Sequence, residues 1–224
     1  MRQILRRAAT MTAGALAAGV LVSATGAATA GAGTPQPVGG FDPVTRYTVS
    51  GTVAEIVSAT PDGETLVYTD SESLEVGFVD ISDPAVPAEL GTLALDGSPT
   101  SVAVTPDGDW ALVAVAGTND LVIVDVATRA VEHTIALGGQ PDSVTINRSG
   151  RYAAIAIENE RDEDVNDGAM PQGPAGLLTI VDLVGDPTGW ATRDVALTGI
   201  TDRFPEDPEP EFVDIKAGIA AVTL

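Results

Sequence analysis

Residues 101–141 read SVAVTPDGDWALVAVAGTNDLVIVDVATRAVEHTIALGGQP and decide the fold. They contain four short apolar segments, at residues 102–104, 110–116, 121–126 and 131–137. Each segment is rich in Val, Ile or aromatic residues, which favour β-strands, and each is short for a helix. Turn-forming residues separate the segments, the first of them a Pro-Asp-Gly sequence. The stretch therefore predicts an antiparallel sheet of four consecutive strands.

The same pattern recurs along the chain. A Pro-Asp-Gly turn stands at residues 61–63 and again at residues 106–108, and Ser149-Gly150 holds the equivalent place in the next unit. Asp80, Asp125 and Asp182 each follow a valine at the end of a predicted third strand, where we expect them to bond turn amides. Four strands in a repeat of roughly 40–45 residues are typical of a β-propeller blade. The sequence therefore predicts an all-β protein, a β-propeller of four-stranded antiparallel blades.

We expect a partial β-propeller over residues 47–224. Three complete blades are expected at residues 55–99, 100–141 and 142–200, with a partial blade from residue 211. Residues 47–53 are expected to form a strand that closes the ring, with a simple edge strand as the alternative. A closed propeller needs about four to eight blades, whereas this sequence supplies about three and a half. We therefore expect a fragment of a longer ring, and expect residues 31–224 alone to aggregate or to melt at low temperature because a strand edge stays open.

Residues 1–30 have the composition of an export signal peptide. Three arginines precede an uncharged apolar run at residues 8–22, and a small-residue cleavage site ends at Ala30. The run is short and interrupted for a membrane anchor. We expect a flexible leader at residues 31–46, no membrane span after signal cleavage and a secreted or cell-surface protein. The choice between the general and the twin-arginine export routes stays open.

Composition limits the chemistry of the chain. The formal net charge is −21, a balance that repels nucleic acid and anionic membrane surfaces. There is no cysteine, which excludes disulfides and thiolate sites. His133 is the only histidine and lies in a predicted fourth strand, and no Gly-x-Ser-x-Gly motif is present. A Ser-His-Asp hydrolase within this segment is therefore not expected, and the sequence identifies no catalytic residue.

Two acidic segments are predicted to lie at one end of the blades. The loop at residues 159–176 is roughly 14 residues longer than a turn requires, and long loops in compact domains often carry function. The second acidic segment, residues 198–211, leads into the partial blade. In a four-stranded meander both connections leave at the same end of the strands, opposite the Pro-Asp-Gly turns. We therefore expect the two acidic segments side by side.

The first acidic segment spaces oxygen ligands as a calcium-binding loop does. The candidate ligands are Asp162, Asp164, Asn166 and Asp167. The pattern departs from the EF-hand, because Gly168 comes one residue late and Gly173 replaces the glutamate at position twelve. Two interpretations stay open, a solvated acidic loop and a bound Ca²⁺ ion. Calcium is the one cofactor that the sequence suggests.

Several motifs resemble known bacterial propellers. The segments at residues 121–125 (LVIVD) and 134–138 (TIALG) resemble the LVIVD-type and YVTN repeats of surface and secreted propellers. A narrower resemblance runs through AIENERDED at residues 156–164, PQGPAG at residues 171–176 and FPED at residues 204–207. These motifs are similar to the propeller portion of secreted proteins described as having esterase-like activity of phytase.

Two functions follow as expectations. The phytase-like resemblance implies an exported hydrolase of a small-molecule ester or phosphoester, with its catalytic residues mostly outside this segment. The alternative is a non-catalytic secreted or cell-surface propeller that binds a protein or glycan partner. Whether the protein is an enzyme stays open at this point.

Overall fold

The computed structural model describes residues 43–224. The predicted export signal and most of the predicted leader lie outside the described residues. Within them, fourteen strands form four antiparallel sheets. Two single 3₁₀ turns, Asn166–Gly168 and Pro187–Gly189, are the helical segments of this region. Among the described residues, no helix combines the length and the apolar character needed to cross a membrane.

Each complete sheet is a meander of four strands that pair in chain order. The first sheet contains β1 (Val57–Ala59), β2 (Thr65–Asp70), β3 (Glu75–Asp80) and β4 (Ala88–Ala94). The second contains β5 (Ser98–Val104), β6 (Trp110–Ala116), β7 (Asp120–Asp125) and β8 (Ala130–Ala136). The third contains β9 (Gln140–Ile146), β10 (Tyr152–Glu158), β11 (Leu177–Asp182) and β12 (Ala191–Ala196). The fourth has two strands, β13 (Val213–Lys216) and β14 (Ile219–Val222). The prediction of four-stranded antiparallel propeller blades is confirmed.

Side chains of Asp or Asn build the turns between first and second strands. In the first sheet Asp62 accepts a hydrogen bond from Thr60 Oγ1, and Gly63 has a φ of 74°, a conformation that favours glycine. Asp107 makes the same bond with the threonine two residues before it. In the third sheet Asn147 Oδ1 instead accepts two backbone N–H bonds, at 2.9 and 3.0 Å. The repeated turn is therefore a local hydrogen-bond motif that the sequence specifies directly.

The aspartates that end the third strands have a structural role. Asp80 accepts a hydrogen bond from the backbone N–H two residues later at 2.8 Å, and Asp125 from the one three residues later at 2.7 Å. Asp182 differs, because it pairs with the guanidinium group of Arg193 at 3.0 Å. The expected bonds to turn amides are thus present in the first two sheets and replaced by an ion pair in the third.

Successive sheets pack face to face through three apolar clusters. Phe78 and Val113 belong to the cluster between the first and second sheets, and Leu112 and Ile155 to that between the second and third. A smaller cluster around Val213 joins the third sheet to the fourth. The side chains are mainly Val, Ile, Leu and Ala, so β-branched and small residues fill the narrow space between sheets.

Serine hydroxyl groups connect the first strands of successive sheets. Ser101 Oγ accepts a hydrogen bond from Val144 N at 3.2 Å, and Ser143 Oγ accepts one from Val213 N at 3.0 Å. Both serines are buried, with 6% and 5% of their surface exposed. The amides that they bind lie on the free edges of β9 and β13, where no strand of the same sheet can pair with them. The serines therefore satisfy strand edges that burial would otherwise leave unpaired.

The first sheet makes this connection from a different position. Alignment of the turns places Ile56 at the repeat position of Ser101 and Ser143. Ser58, two residues later, accepts a hydrogen bond from Val104 N on β5 at 3.0 Å. The connection is therefore kept although the repeat position has lost its hydroxyl group.

The predicted closing strand is absent, because residues 43–56 contain no strand. The buried carboxylate of Asp70 binds this segment instead, and its Oδ2 accepts hydrogen bonds from Thr52 N at 2.6 Å and Val53 N at 3.1 Å. Consecutive backbone amides of a β-strand point in opposite directions. Because the amides of Thr52 and Val53 bind the same carboxylate oxygen, the backbone must bend here and cannot form a regular strand. Burial tends to raise the pKa of Asp70, but backbone hydrogen bonds from Ser73, Val53 and Thr52 outweigh it and the pKa is lowered.

Replacing Ser143 with alanine should lower the free energy of unfolding by about 1–3 kcal/mol, because Val213 N would stay buried without an acceptor. Ser101→Ala should have a similar effect through Val144 N. Ser149→Ala is the matched control, since its hydroxyl is exposed and can exchange its bond to Asn147 for water. Urea unfolding followed by circular dichroism measures the three variants. Equal stability of all three would contradict the role given to the buried serines.

Candidate functional site

The two acidic segments meet at one end of the third sheet. Gln172 N donates a hydrogen bond to Asp207 Oδ2 at 2.7 Å, and Gly176 N donates one to Pro208 O at 3.1 Å. A Cβ atom at Gly176 would collide with Pro208 O and with Pro210, so the contact requires glycine at this position. The expected side-by-side arrangement of the two segments is confirmed.

Five carboxylates lie together at this end of the strands, where charges among them raise the pKa of Asp142, Glu158 and Glu209, and we call them the acidic end: Asp142, Glu158, Glu160, Glu209 and Glu211. Strands β9 and β10 are antiparallel, and Glu158 pairs with Gln140, so the start of β9 lies beside the end of β10. This pairing brings Asp142 next to Glu158. The second acidic segment then adds the remaining glutamates, 209 and 211, beside them.

Burial and mutual repulsion disfavour ionisation within the acidic end. Burial, and then the charges of Asp142, Glu211, Glu160 and Glu209, raise the pKa of Glu158 to about 7. The pKa of Asp142 is raised by burial and by the charges of Glu211 and Glu160. A carboxyl group with a pKa near 7 is partly protonated at neutral pH. The acidic end therefore attracts protons, and for the same reason it attracts other cations.

Asp207 is a buried acid beside this group. Its side chain is 3% exposed, and its Oδ2 accepts the hydrogen bond from Gln172. Its Oδ1 is buried and has no hydrogen-bond partner among residues 43–224. Burial raises the pKa of Glu209, and the charge of Asp207 raises it further while Arg161 opposes the change. Asp207 thus joins the two acidic segments and adds negative charge behind the acidic end.

Positive charges do little to balance the acidic end. Arg161 forms an exposed ion pair with Glu163 at 3.2 Å, and such surface pairs contribute little free energy. The other ion pair in the described part of the chain joins Arg193 to Asp182 on the third sheet. Neither pair includes a carboxylate of the acidic end. Its charge is therefore available to a cation from outside.

The predicted calcium ligands Asp162, Asp164, Asn166 and Asp167 are exposed on the first acidic segment. Asp162 Oδ1 accepts a hydrogen bond from Asp164 N at 2.8 Å, and Asn166 and Asp167 lie in a 3₁₀ turn. Within residues 43–224 no three acidic or histidine side chains are grouped so that they could hold a metal ion. The three aspartates are thus near in sequence but do not surround a common point. Calcium binding at these residues stays a prediction.

The sequence reasoning did not identify Asp142 and Glu158 as site residues. One signal was present, because Pro141-Asp142-Ser143-Val144 aligns with Pro210-Glu211-Phe212-Val213. This alignment puts an acid at the same repeat position of two successive blades. The other signal, the burial of Glu158, exists only in the folded chain. His133 lies on β8, paired with Ile123, where a strand residue was expected.

If Ca²⁺ binds the first acidic segment, it should raise the melting temperature. At a hundredfold excess over the dissociation constant, the stabilisation should be roughly 2.7 kcal/mol by mass action. Mg²⁺ should have a smaller effect, because it gives up its water reluctantly and demands octahedral geometry. Calorimetry on the wild type and on Asp162→Asn/Asp164→Asn checks this. Equal responses to both ions in both proteins would indicate ordinary screening of a solvated loop.

The raised pKa of Glu158 predicts a pH dependence of stability. Between about 4.5 and about 7 the folded chain binds more protons at Glu158 than the unfolded chain does, so stability should fall as the pH rises through this range. Glu158→Gln should flatten this dependence and should exceed the wild type in stability at about pH 8. Thermal melting across this range checks the effect. Glu132→Gln, an exposed glutamate on β8, is the control and should follow the wild type.

Comparison with solved structures shows the fold. Hydrazine synthase from Kuenenia stuttgartiensis matches with 22% identity and a TM-score of 0.56, over 80% of this chain and 43% of that chain. The β-propeller domain of Cps50 (Swd1) from Myceliophteria thermophila matches with 14% identity and a TM-score of 0.56, over 80% of this chain and 51% of that chain. This chain thus spans about half of each solved chain or less. At these identities the likeness shows the propeller fold alone.

Comparison with protein families shows a relationship that the sequence reasoning did not name. No curated protein matches the chain. Residues 55–217 match the family described as Choice-of-anchor I domain, and that description suggests an extracytoplasmic or surface-anchored protein. Neither the family match nor the structural neighbours support the resemblance to phytase-like hydrolases. Because the matched residues include all three complete sheets, this chain belongs to the Choice-of-anchor I domain family.

Proposed function

We propose that this chain is a non-catalytic binding propeller at the cell surface or in the secreted fraction, and that it binds its partner through the acidic end. The family description supports the location. The observation that carries the proposal is Glu158, a half-buried carboxyl group whose pKa is raised to about 7 by burial and by four neighbouring carboxylates. A partner with positive charge relieves this repulsion when it binds.

The charge of the acidic end favours a basic protein segment over a neutral glycan as the partner. Lysine and arginine side chains donate several charge-assisted hydrogen bonds, and arginine can bind a carboxylate with two parallel bonds. An entering cation would lower the pKa of Glu158 and release its proton. Binding should therefore strengthen as the pH rises through about 7. A neutral glycan offers no such coupling.

An ester or phosphoester hydrolase is the second candidate, and one observation favours it. A carboxyl group that titrates near neutral pH suits general acid or base catalysis, and Glu158 is such a group. The neighbouring carboxylates, however, repel an anionic phosphoester. The same charges attract a basic partner, so the binding function accounts for more of the site.

A decalysine peptide tests the proposed function. Isothermal titration calorimetry at low salt should show binding to the wild type. Asp142→Asn/Glu158→Gln should weaken it about tenfold or more, as the loss of a charge-assisted contact implies. The control, Asp109→Asn/Glu132→Gln, removes the same formal charge from exposed positions elsewhere. It should bind decalysine like the wild type.

Two outcomes would contradict the proposal. Equal weakening in both double variants would mean that only net charge attracts the peptide. Hydrolysis of a chromogenic ester or phosphoester by the wild type, lost in Glu158→Gln, would favour the enzyme over the binding module.

A further inference from the structure

The carboxylate of Asp207 has one oxygen that the fold leaves unpaired. Among residues 43–224, Asp207 Oδ1 alone is a buried side-chain oxygen or nitrogen atom without a hydrogen-bond partner. Only 3% of the residue is exposed, and its other oxygen, Oδ2, accepts the hydrogen bond from Gln172 N at 2.7 Å. Buried carboxylates in proteins are normally paired or bound to an ion. The unpaired oxygen therefore indicates a positively charged partner.

No basic side chain in the described part of the chain forms an ion pair with this carboxylate. The two ion pairs there join Arg161 to Glu163 and Arg193 to Asp182. Arg161 lies near enough to Glu209 to act on its ionisation, but its guanidinium group is bonded to Glu163 and its side chain is 46% exposed. The unpaired oxygen is also too deeply buried for a lysine or arginine of a partner to reach. A small ion without its full water shell fits such a position better.

Glu209 supplies a second carboxylate beside Asp207. Burial raises the pKa of Glu209, and the charge of Asp207 is the next largest cause. Between the two acids lies Pro208, which is buried and whose ring restricts the backbone. Pro208 O accepts the hydrogen bond from Gly176 N at 3.1 Å, so the backbone that carries both acids is held against the first acidic segment. The second acidic segment thus presents two neighbouring carboxylates on a restrained backbone.

We propose that Asp207 and Glu209 bind a calcium ion, with Asp207 Oδ1 as its buried ligand. Within residues 43–224 no three acidic or histidine side chains are grouped to hold a metal, so the remaining ligands are backbone carbonyl oxygens and water. Ca²⁺ accepts about six to eight oxygens of these kinds in a flexible geometry, whereas Mg²⁺ demands an octahedron. This site is separate from the exposed ligands predicted at residues 162–167. Because Asp207 Oδ2 binds Gln172, the ion also strengthens the junction between the two acidic segments.

Isothermal titration calorimetry with CaCl₂ tests this site on the whole chain. Asp207→Asn keeps an oxygen that can accept the bond from Gln172 N but removes the charge, so it should weaken Ca²⁺ binding about tenfold or more. Glu209→Gln should also weaken it, and this half-buried position guards against unfolding of the Asp207 variant. Asp202→Asn is the matched control, because it removes the same charge from an exposed position of the same segment. It should bind Ca²⁺ like the wild type.

The outcomes that would overturn the calcium site are distinct. Equal Ca²⁺ binding by the wild type and Asp207→Asn would exclude it, and loss of binding only in Asp162→Asn/Asp164→Asn would place the ion on the exposed loop. A wild type that binds no Ca²⁺ and melts below Asp207→Asn would mean that the buried carboxylate has no ion. Failure of the proposed function is separable, since Asp142→Asn/Glu158→Gln should weaken decalysine binding and still bind the Ca²⁺ that Asp207→Asn loses.

Discussion

The fold depends on hydrogen-bond acceptors for the backbone amides on the free edge of the first strand in each successive sheet. The first strands of the second, third and fourth sheets each pair on one side only within their own sheet, and the other edge of each faces the preceding sheet. Ser58, Ser101 and Ser143 supply the acceptors that these edges need. A hydroxyl group on the preceding strand is short enough to let the two sheets approach, which the apolar clusters require. The same serine contact therefore pairs the buried backbone amide and allows the apolar side chains of the two sheets to pack.

This contact also positions the acidic end. Ser143 binds Val213 N, and each partner has an acid close by in sequence, Asp142 beside the serine and Glu211 two residues before the valine. Fixing β9 against β13 therefore holds the two carboxylates near each other, and Glu211 is one of the charges that raise the pKa of Asp142. The repulsion within the acidic end is maintained because the buried hydrogen bond and the apolar cluster around Val213 oppose its relaxation. The site is a consequence of how the sheets are joined.

The sequence predicted those features that depend on neighbours in the chain. Asp62 and Asp107 bond within their own turns, so the repeat could be found by inspection. Features that depend on contacts between distant segments were either not predicted or predicted incorrectly. The closing strand failed because Asp70, which lies on β2, binds the amides of Thr52 and Val53 and bends the backbone. Two of the charges that raise the pKa of Glu158 come from Glu209 and Glu211 of the second acidic segment, which lie about fifty residues further along the chain.

Apart from Asp70, which binds the N-terminal segment, the acids whose pKa is shifted fall into two groups that the direction of the change separates. Hydrogen bonds from hydroxyl groups lower the pKa of Asp62, Asp80 and Asp186, which bind Thr60, Ser82 and Thr188 near the end of the strands that carries the Pro-Asp-Gly turns. These carboxylates are already satisfied by the fold. At the opposite end, burial and like charges raise the pKa of Asp142, Glu158 and Glu209. Carboxylates that the fold crowds together without satisfying their hydrogen bonds gain most from an external cation, which is the physical basis for the proposal that a partner binds at that end.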